Sequence, residues 1–254
     1  MQNRLKTGIA SLVLLSFVGV GCANSAKLSS TQPQEDVMAK LLGVINKGDA
    51  QAVSEQLKHG FDPARWNDLN GKLKDSPLHI AASAGSVEIL RLLLDGGLKV
   101  DLKDSHGQTP LLAASAQGRT DAARLLIERG ADIKAKGGQP PNQFEPVTIA
   151  ASGGHTETMK LLLDQGGNLE GDSPIATPLY FAAAGGHEQT VRFLLQRGAK
   201  VGGSVVINAI EEQHKDIARL LRAQYCNHEL PKPIGIPAAD RPLMNVRRLE
   251  GCSK

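Results

Sequence analysis

Four proline-centred segments recur at nearly constant spacing along this 254-residue chain, and no other feature restricts its fold as tightly. Three align directly: Ser76-Pro77-Leu78-His79-Ile80-Ala81-Ala82, Thr109-Pro110-Leu111-Leu112-Ala113-Ala114 and Thr177-Pro178-Leu179-Tyr180-Phe181-Ala182-Ala183. Glu145-Pro146-Val147-Thr148-Ile149-Ala150-Ala151 is a weaker fourth. The prolines at 77, 110, 146 and 178 stand 33, 36 and 32 residues apart. Each segment is followed by a glycine and then by a second apolar run, such as Val87-Glu88-Ile89-Leu90-Arg91-Leu92-Leu93-Leu94. Those runs end in Gly96, Gly130, Gly166 and Gly198. Self-similarity at such a period marks a stack of like units.

Each unit reads as two helices. Ser76, Thr109 or Thr177 can cap an N-terminus, and the proline that follows sits where its missing N–H costs nothing. The alanine pairs keep the first helix thin enough for close stacking. The second helix carries leucines three and four residues apart, an apolar stripe that a single unit cannot bury alone. The glycine at its end can take the left-handed cap that turns the chain. Composition agrees: 41% hydrophobic residues with 27 glycines and only 3% aromatics suit short elements and many turns around an aliphatic core.

Period and internal motif together make the chain similar to the ankyrin repeat family. The resemblance implies an all-α solenoid of about six helix-turn-helix units with finger loops, capped at both ends. It covers about Glu35 to Ala223, so the domain is expected over 35–223. Leu41 to Phe61 resembles a degenerate N-terminal capping repeat. Ser204 to Ile210, leading into Ile217-Ala218-Arg219-Leu220-Leu221, resembles a last repeat, whose preceding finger is shortened. Two fingers depart from the pattern. The first is enlarged ahead of Ser76, and the third carries Lys136-Gly137-Gly138-Gln139-Pro140-Pro141-Asn142-Gln143.

The flanks carry their own signals. Arg4 and Lys6 precede 15 uncharged residues, Thr7 to Gly21. That length falls short of the roughly 20 a membrane-spanning helix needs but suits a secretory signal over 1–22. Val18-Gly19-Val20-Gly21-Cys22 resembles the bacterial lipoprotein cleavage site, with Gly19 where the family places Leu. The resemblance implies lipidation of Cys22 and an exported, periplasmic, membrane-anchored protein; ordinary cleavage after Ala23 is the alternative. Residues 23–34 read as a polar tether. Export would leave Cys226 and Cys252 as an even pair in an oxidising compartment. They read as a disulfide worth roughly 3 kcal/mol, closing a tail over 224–254 that covers the last repeat. Two free thiols are the alternative.

Chemistry is harder to find. Lys and Arg number 29 against 26 Asp and Glu, and loss of the signal leaves 27 against 26. That balance argues against nucleic-acid capture by bulk charge, and so few aromatics leave little for stacking on single strands. His79 falls in the motif itself, while His155, His187 and His214 recur after the first helices, so the period accounts for them as structural. There is no His-Glu-x-x-His, Cys-x-x-Cys, calcium loop, Gly-x-Ser-x-Gly or phosphate loop. Neither enzyme activity, a metal, a cofactor nor a small-molecule substrate is expected. Tyr225, Cys226 and His228 offer potential haem or copper ligands, against a plainer reading as a helix end with a half-cystine.

The expected function is therefore binding another protein. The resemblance places the partner on the finger loops and the inner face of the first helices. On the fingers that selects Trp66, Lys74, Asp75, Ser105, His106, Gln108, Asn142, Phe144, Ser173 and Ala176. On the inner helices it selects Ser83, Ala116, Gln117, Ser152, Tyr180, Ala184, Glu211 and Glu212. Trp66 and Phe144 stand out because aromatic anchors dominate interface energies. The alternatives are that Trp66 packs on the capping repeat and Phe144 on its own finger. Analogy suggests two roles, an inhibitor or immunity protein against a toxin or hydrolase, or an accessory to a periplasmic catalase or other haem enzyme.

Overall fold

The computed structural model describes residues 32–59, 61–68, 76–138, 143–173 and 175–227. Cys22, Lys74, Asp75, Asn142, His228 and Cys252 lie outside the described residues, as does the side chain of Cys226. A first pair of helices, α1 (Gln32–Asn46) and α2 (Ala50–Lys58), is followed by the short α3 (Pro63–Asp68). Five pairs succeed it: α4 (Pro77–Ala84) with α5 (Val87–Asp95), α6 (Pro110–Ala116) with α7 (Thr120–Glu128), and α8 (Pro146–Ser152) with α9 (Thr156–Asp164). Then come α10 (Pro178–Ala184) with α11 (Glu188–Gln196), and α12 (Gly203–Glu211) with α13 (Lys215–Asn227). Among the described residues extended pairing is confined to one antiparallel bridge, Gly137 with Phe144. The described residues form the all-α solenoid of six helix pairs that the repeats imply. Helix α1 begins at Gln32, inside the stretch read as tether, and α13 runs to Asn227, past Ala223.

The caps explain where the helices start and stop. Proline occupies the first turn of α4, α6, α8 and α10. Thr109 Oγ1 accepts from Leu112 N–H at 3.5 Å and Thr177 Oγ1 from Tyr180 N–H at 3.1 Å. Ser76 departs from the expected cap, because its hydroxyl turns to His79 Nδ1 at 2.7 Å. Gly130, Gly166 and Gly198 take positive φ as expected. After α5 the left-handed residue is Gly97, at φ +95°, and Gly96 stays right-handed at −72°.

Stacking is one-dimensional. First helices pack on first helices, α1 through α4, α6, α8 and α10 to α12, and second helices on second helices, α2 to α13. Between the layers lies an aliphatic core that includes Leu78, Leu90, Leu93, Leu111, Leu126, Met159, Leu162, Leu179 and Leu194. Each such side chain contributes roughly 1.5–3 kcal/mol by leaving water.

A hydrogen bond repeats with the period. His155 Nε2 lies 3.0 Å from the Ala116 carbonyl, His187 Nε2 2.9 Å from Ser152 O and His214 Nε2 3.1 Å from Ala184 O. Arg119 Nε donates to Ser83 O at 3.0 Å in the corresponding place one repeat earlier. These rings tie each unit to the end of the preceding first helix. Glycine is required beside them: Gly154 has φ +70°, and a Cβ there would stand 2.5 Å from His187 Nδ1.

The first enlarged loop contains a helix. Asp62 Oδ1 accepts the Ala64 amide at 3.0 Å, Pro63 opens the turn, and α3 carries Trp66 inward to 3% exposure. Asn67 fastens α3 to the next unit, donating to Gly97 O at 3.1 Å and accepting from Lys99 N–H at 2.9 Å. Trp66 is therefore a core residue and not a finger-tip contact. Its ring joins the apolar core that runs on through the following repeats.

Candidate functional site

The inner helices present one surface, of small or neutral side chains in the middle repeats and two carboxylates in the last. Ala116, Gln117, Ser152, Glu211 and Glu212 are exposed on it, and Ser83 and Ala184 are half-buried. Ser83 Oγ donates to His79 O at 2.9 Å, which folds its hydroxyl onto its own helix. A second row, one register away, contains half-buried Ile80, Ile149 and Phe181. The wall thus combines shallow side chains with an apolar stripe, suiting close approach by another backbone.

Three of the chain's eight aromatic side chains meet at one point of this wall. Phe144 lies edge-on to Phe181 with centroids 5.1 Å apart, and Tyr180 lies edge-on to Phe181 at 5.5 Å. Asn208 Nδ2 donates to the Tyr180 hydroxyl at 3.3 Å from the following repeat, and its Oδ1 is buried without a partner. Phe144 is consequently not a free finger tip. Its backbone bridges Gly137 across the third finger, at 3.2 and 3.1 Å, which turns the ring onto the inner helix of the next unit. Phe181 is the residue that sequence reasoning missed; it stands next to the selected Tyr180.

Finger geometry sorts the other candidates. Asp104 is buried and its Oδ1 accepts from the amides of His106 and Gln108, both at 2.8 Å. That turn lifts Ser105 and His106 into solvent and keeps Gln108 half-buried, with its carbonyl held by His79 Nε2 at 2.8 Å. On the fourth finger the Ser173 hydroxyl accepts the Ile175 and Ala176 amides at 3.3 and 3.0 Å. Ser173 is thus a turn-former, with Ala176 half-buried behind it, and Ile175 is the exposed residue there. Only Arg197–Gly202 separate α11 from α12, so no full finger covers the fourth. A groove of about 470 Å³ opens there between Ile175 and Lys200.

The third and fourth fingers share a charged cluster. Lys136 Nζ pairs with Asp172 Oδ2, and Glu145 is buried close by with Oε2 unpartnered. Burial, and then the Asp172 carboxyl alongside, push the Glu145 carboxyl above the usual range. The Lys136 ammonium holds Asp172 below it. Glu145 stands where the other repeats have Ser or Thr, and it makes no side-chain cap. Among the described residues no group of three or more His, Cys, Asp or Glu is placed to hold a metal ion.

Comparison with known proteins fits this geometry. The family model described as ankyrin repeats (3 copies) matches residues 41–137 and 136–205. A probable E3 ubiquitin-protein ligase XBOS32 of Oryza sativa subsp. japonica is 33% identical over 102 residues, 40% of this chain and 17% of that protein. Serine/threonine-protein kinase 12 of Arabidopsis thaliana is 34% identical over 70 residues, 28% of this chain and 14% of that protein. The chain thus spans about a sixth of the length of these relatives, and the matched stretches lie within its repeats. The crystal structure of the human ASB11 ankyrin repeat domain superposes with a TM-score of 0.65 at 26% identity, over 76% of this chain and 85% of that one. The chain belongs to the ankyrin repeat family.

Proposed function

We propose that this protein is a non-catalytic binding module that takes another protein on its inner wall, centred on Phe181 and Ile149. The observation that carries this reading is the aromatic cluster Phe144–Phe181–Tyr180, set among exposed Ser152, Ala116 and Gln117. Interfaces are anchored by such clusters inside a rim of small and polar groups. The outer surface differs: the second helices expose Arg91, Glu88, Asp121, Glu157 and Lys160, which a partner would have to desolvate.

The flanking sequence motivates a reading of its setting. We propose export through residues 1–22 and lipid anchoring at Cys22, facing the periplasm, with inhibition of a toxin or hydrolase as the role. An inhibitor needs a preformed wall of this kind and no chemistry of its own. The test has two parts. Metabolic labelling with a palmitate analogue should mark the protein and be lost in Cys22→Ala; a chain that keeps residues 1–22 overturns the anchoring. Mature protein from Asn24 onward, used as bait on envelope extract and on extracts of competing cells, should capture one stoichiometric hydrolase or toxin. Capture of a catalase or other haem enzyme instead replaces the inhibitor by an accessory role, and capture of nothing from either source defeats the binding reading.

A further inference from the structure

The last unit is built like an interior one. The bond from His214 N–H to Ala209 O, at 2.9 Å, repeats that from His187 to Ala182 and from His155 to Ala150, which fixes the register between repeats. In that register Ile207 corresponds to His79, Leu112, Thr148 and Tyr180, and Ile210 to Ala82, Ser115, Ala151 and Ala183. The first position faces the following repeat: His79 reaches Gln108 of the next unit, and Tyr180 reaches Asn208. In the earlier units all are buried except the half-buried Tyr180. In the last, Ile207 is 37% and Ile210 49% exposed, and a hollow of about 300 Å³ opens beside Ile210, Ala218 and Arg219. Terminal repeats of solenoids need a polar outer face, and this one has isoleucine where its predecessors have alanine or serine.

We propose that residues 228–254 of this chain cover that face, lying across α12 from Gly203 toward Ile210. The path begins in the right place. Near the end of α13 the Tyr225 hydroxyl stands 3.7 Å from the Cβ position of Gly203, so the chain leaves the repeat beside the start of α12. From Gly203 to Ile210 is about 10 Å of helix, which three or four extended residues span. Twenty-seven residues follow Asn227. Pro231, Pro233, Pro237 and Pro242 favour extended chain over a seventh pair of helices, and Ile234, Ile236, Leu243, Met244 and Val246 supply apolar contacts. A tethered segment acts at millimolar effective concentration, which favours it over a second copy of the protein.

The test places benzoylphenylalanine at Ile210 in the full chain, with the same probe at Ile175 as control. Irradiation should link position 210 to a peptide within 228–254 of the same molecule, and position 175 should give no such link. A link between two copies, or none to 228–254, overturns the proposal. A second readout uses Ile207→Asp with Ile210→Asp. Tryptic cleavage after Arg247 and Arg248 should speed up about tenfold or more while far-ultraviolet circular dichroism is retained. An unchanged cleavage rate in a folded variant also overturns it.

Discussion

Gly154→Ala should be one of the most damaging single-methyl additions in this chain, and its cost can be built from parts. The residue sits at φ +70°, where alanine pays about 1–2 kcal/mol. The new Cβ would fall 2.5 Å from His187 Nδ1, so the ring must move. Moving it breaks the 2.9 Å bond from Nε2 to Ser152 O, for about 1 kcal/mol more. The sum is about 2–3 kcal/mol, a fall in Tm of roughly 4–12 °C at this chain length. Gly130→Ala separates the contributions, because Gly130 has φ +88° but no atom within 4 Å of its Cβ position. That variant should lose only the backbone part. His187→Ala should lose about 1 kcal/mol, and adding it to Gly154→Ala should cost little further, since the bond to Ser152 O is already broken there. Urea denaturation followed by circular dichroism measures all four. If Gly154→Ala and Gly130→Ala are equally stable within error, or if the double variant is additive, the proposed role of the histidine ring is refuted.

Two further predictions rest on separate parts of the molecule. Trp66→Ala should cost about 3–5 kcal/mol in the terminal unit. Because repeats stabilise mainly their neighbours, hydrogen exchange should speed up in α1–α3 and leave α8–α11 unchanged, and affinity for a captured partner should not alter. Glu145 is expected to give a pH dependence. Its folded pKa is raised above the ordinary 4.5, so the stability it contributes is present below that value and lost as pH rises through the folded one. Glu145→Gln should therefore have a higher Tm than the parent at pH 7, with the gain vanishing at pH 4; equal melting curves at both pH values would contradict the burial argument.

The repeat scaffold was legible because its signals are local and periodic. Proline at the first turn, alanine pairs, leucine spacing and a closing glycine each act within one unit and recur about every 33 residues. The polar contacts of His155, His187 and His214 follow from the same spacing, and the structure adds Arg119 in the corresponding place. What escaped depends on neighbours. Asp62 and Pro63 are an N-terminal helix signal, yet whether Trp66 points in or out depends on how α3 packs on its neighbours. Phe144 looked free because its contact, Phe181, lies 37 positions along the chain, and the short bridge that aims it has no periodic signature. Phe181 stands one residue beyond Tyr180, a shift that on a helix rotates a side chain by about 100°, and only the packed repeats show that Phe181 meets Phe144. Glu145 broke the motif visibly, but its burial beside Asp172 is a property of two fingers together.

The most direct test of the binding account is a calorimetric titration of the captured partner with two variants of opposite placement. Ser152→Arg adds a long charged side chain to the exposed inner wall, close to Ile149, and Glu157→Arg does the same on the outer helix α9. Both positions are exposed, so both variants should fold. The account predicts that Ser152→Arg weakens binding by about tenfold or more, while Glu157→Arg changes Kd by less than about twofold. Unchanged affinity for Ser152→Arg, with a loss for Glu157→Arg, would place the partner on the second helices and contradict it.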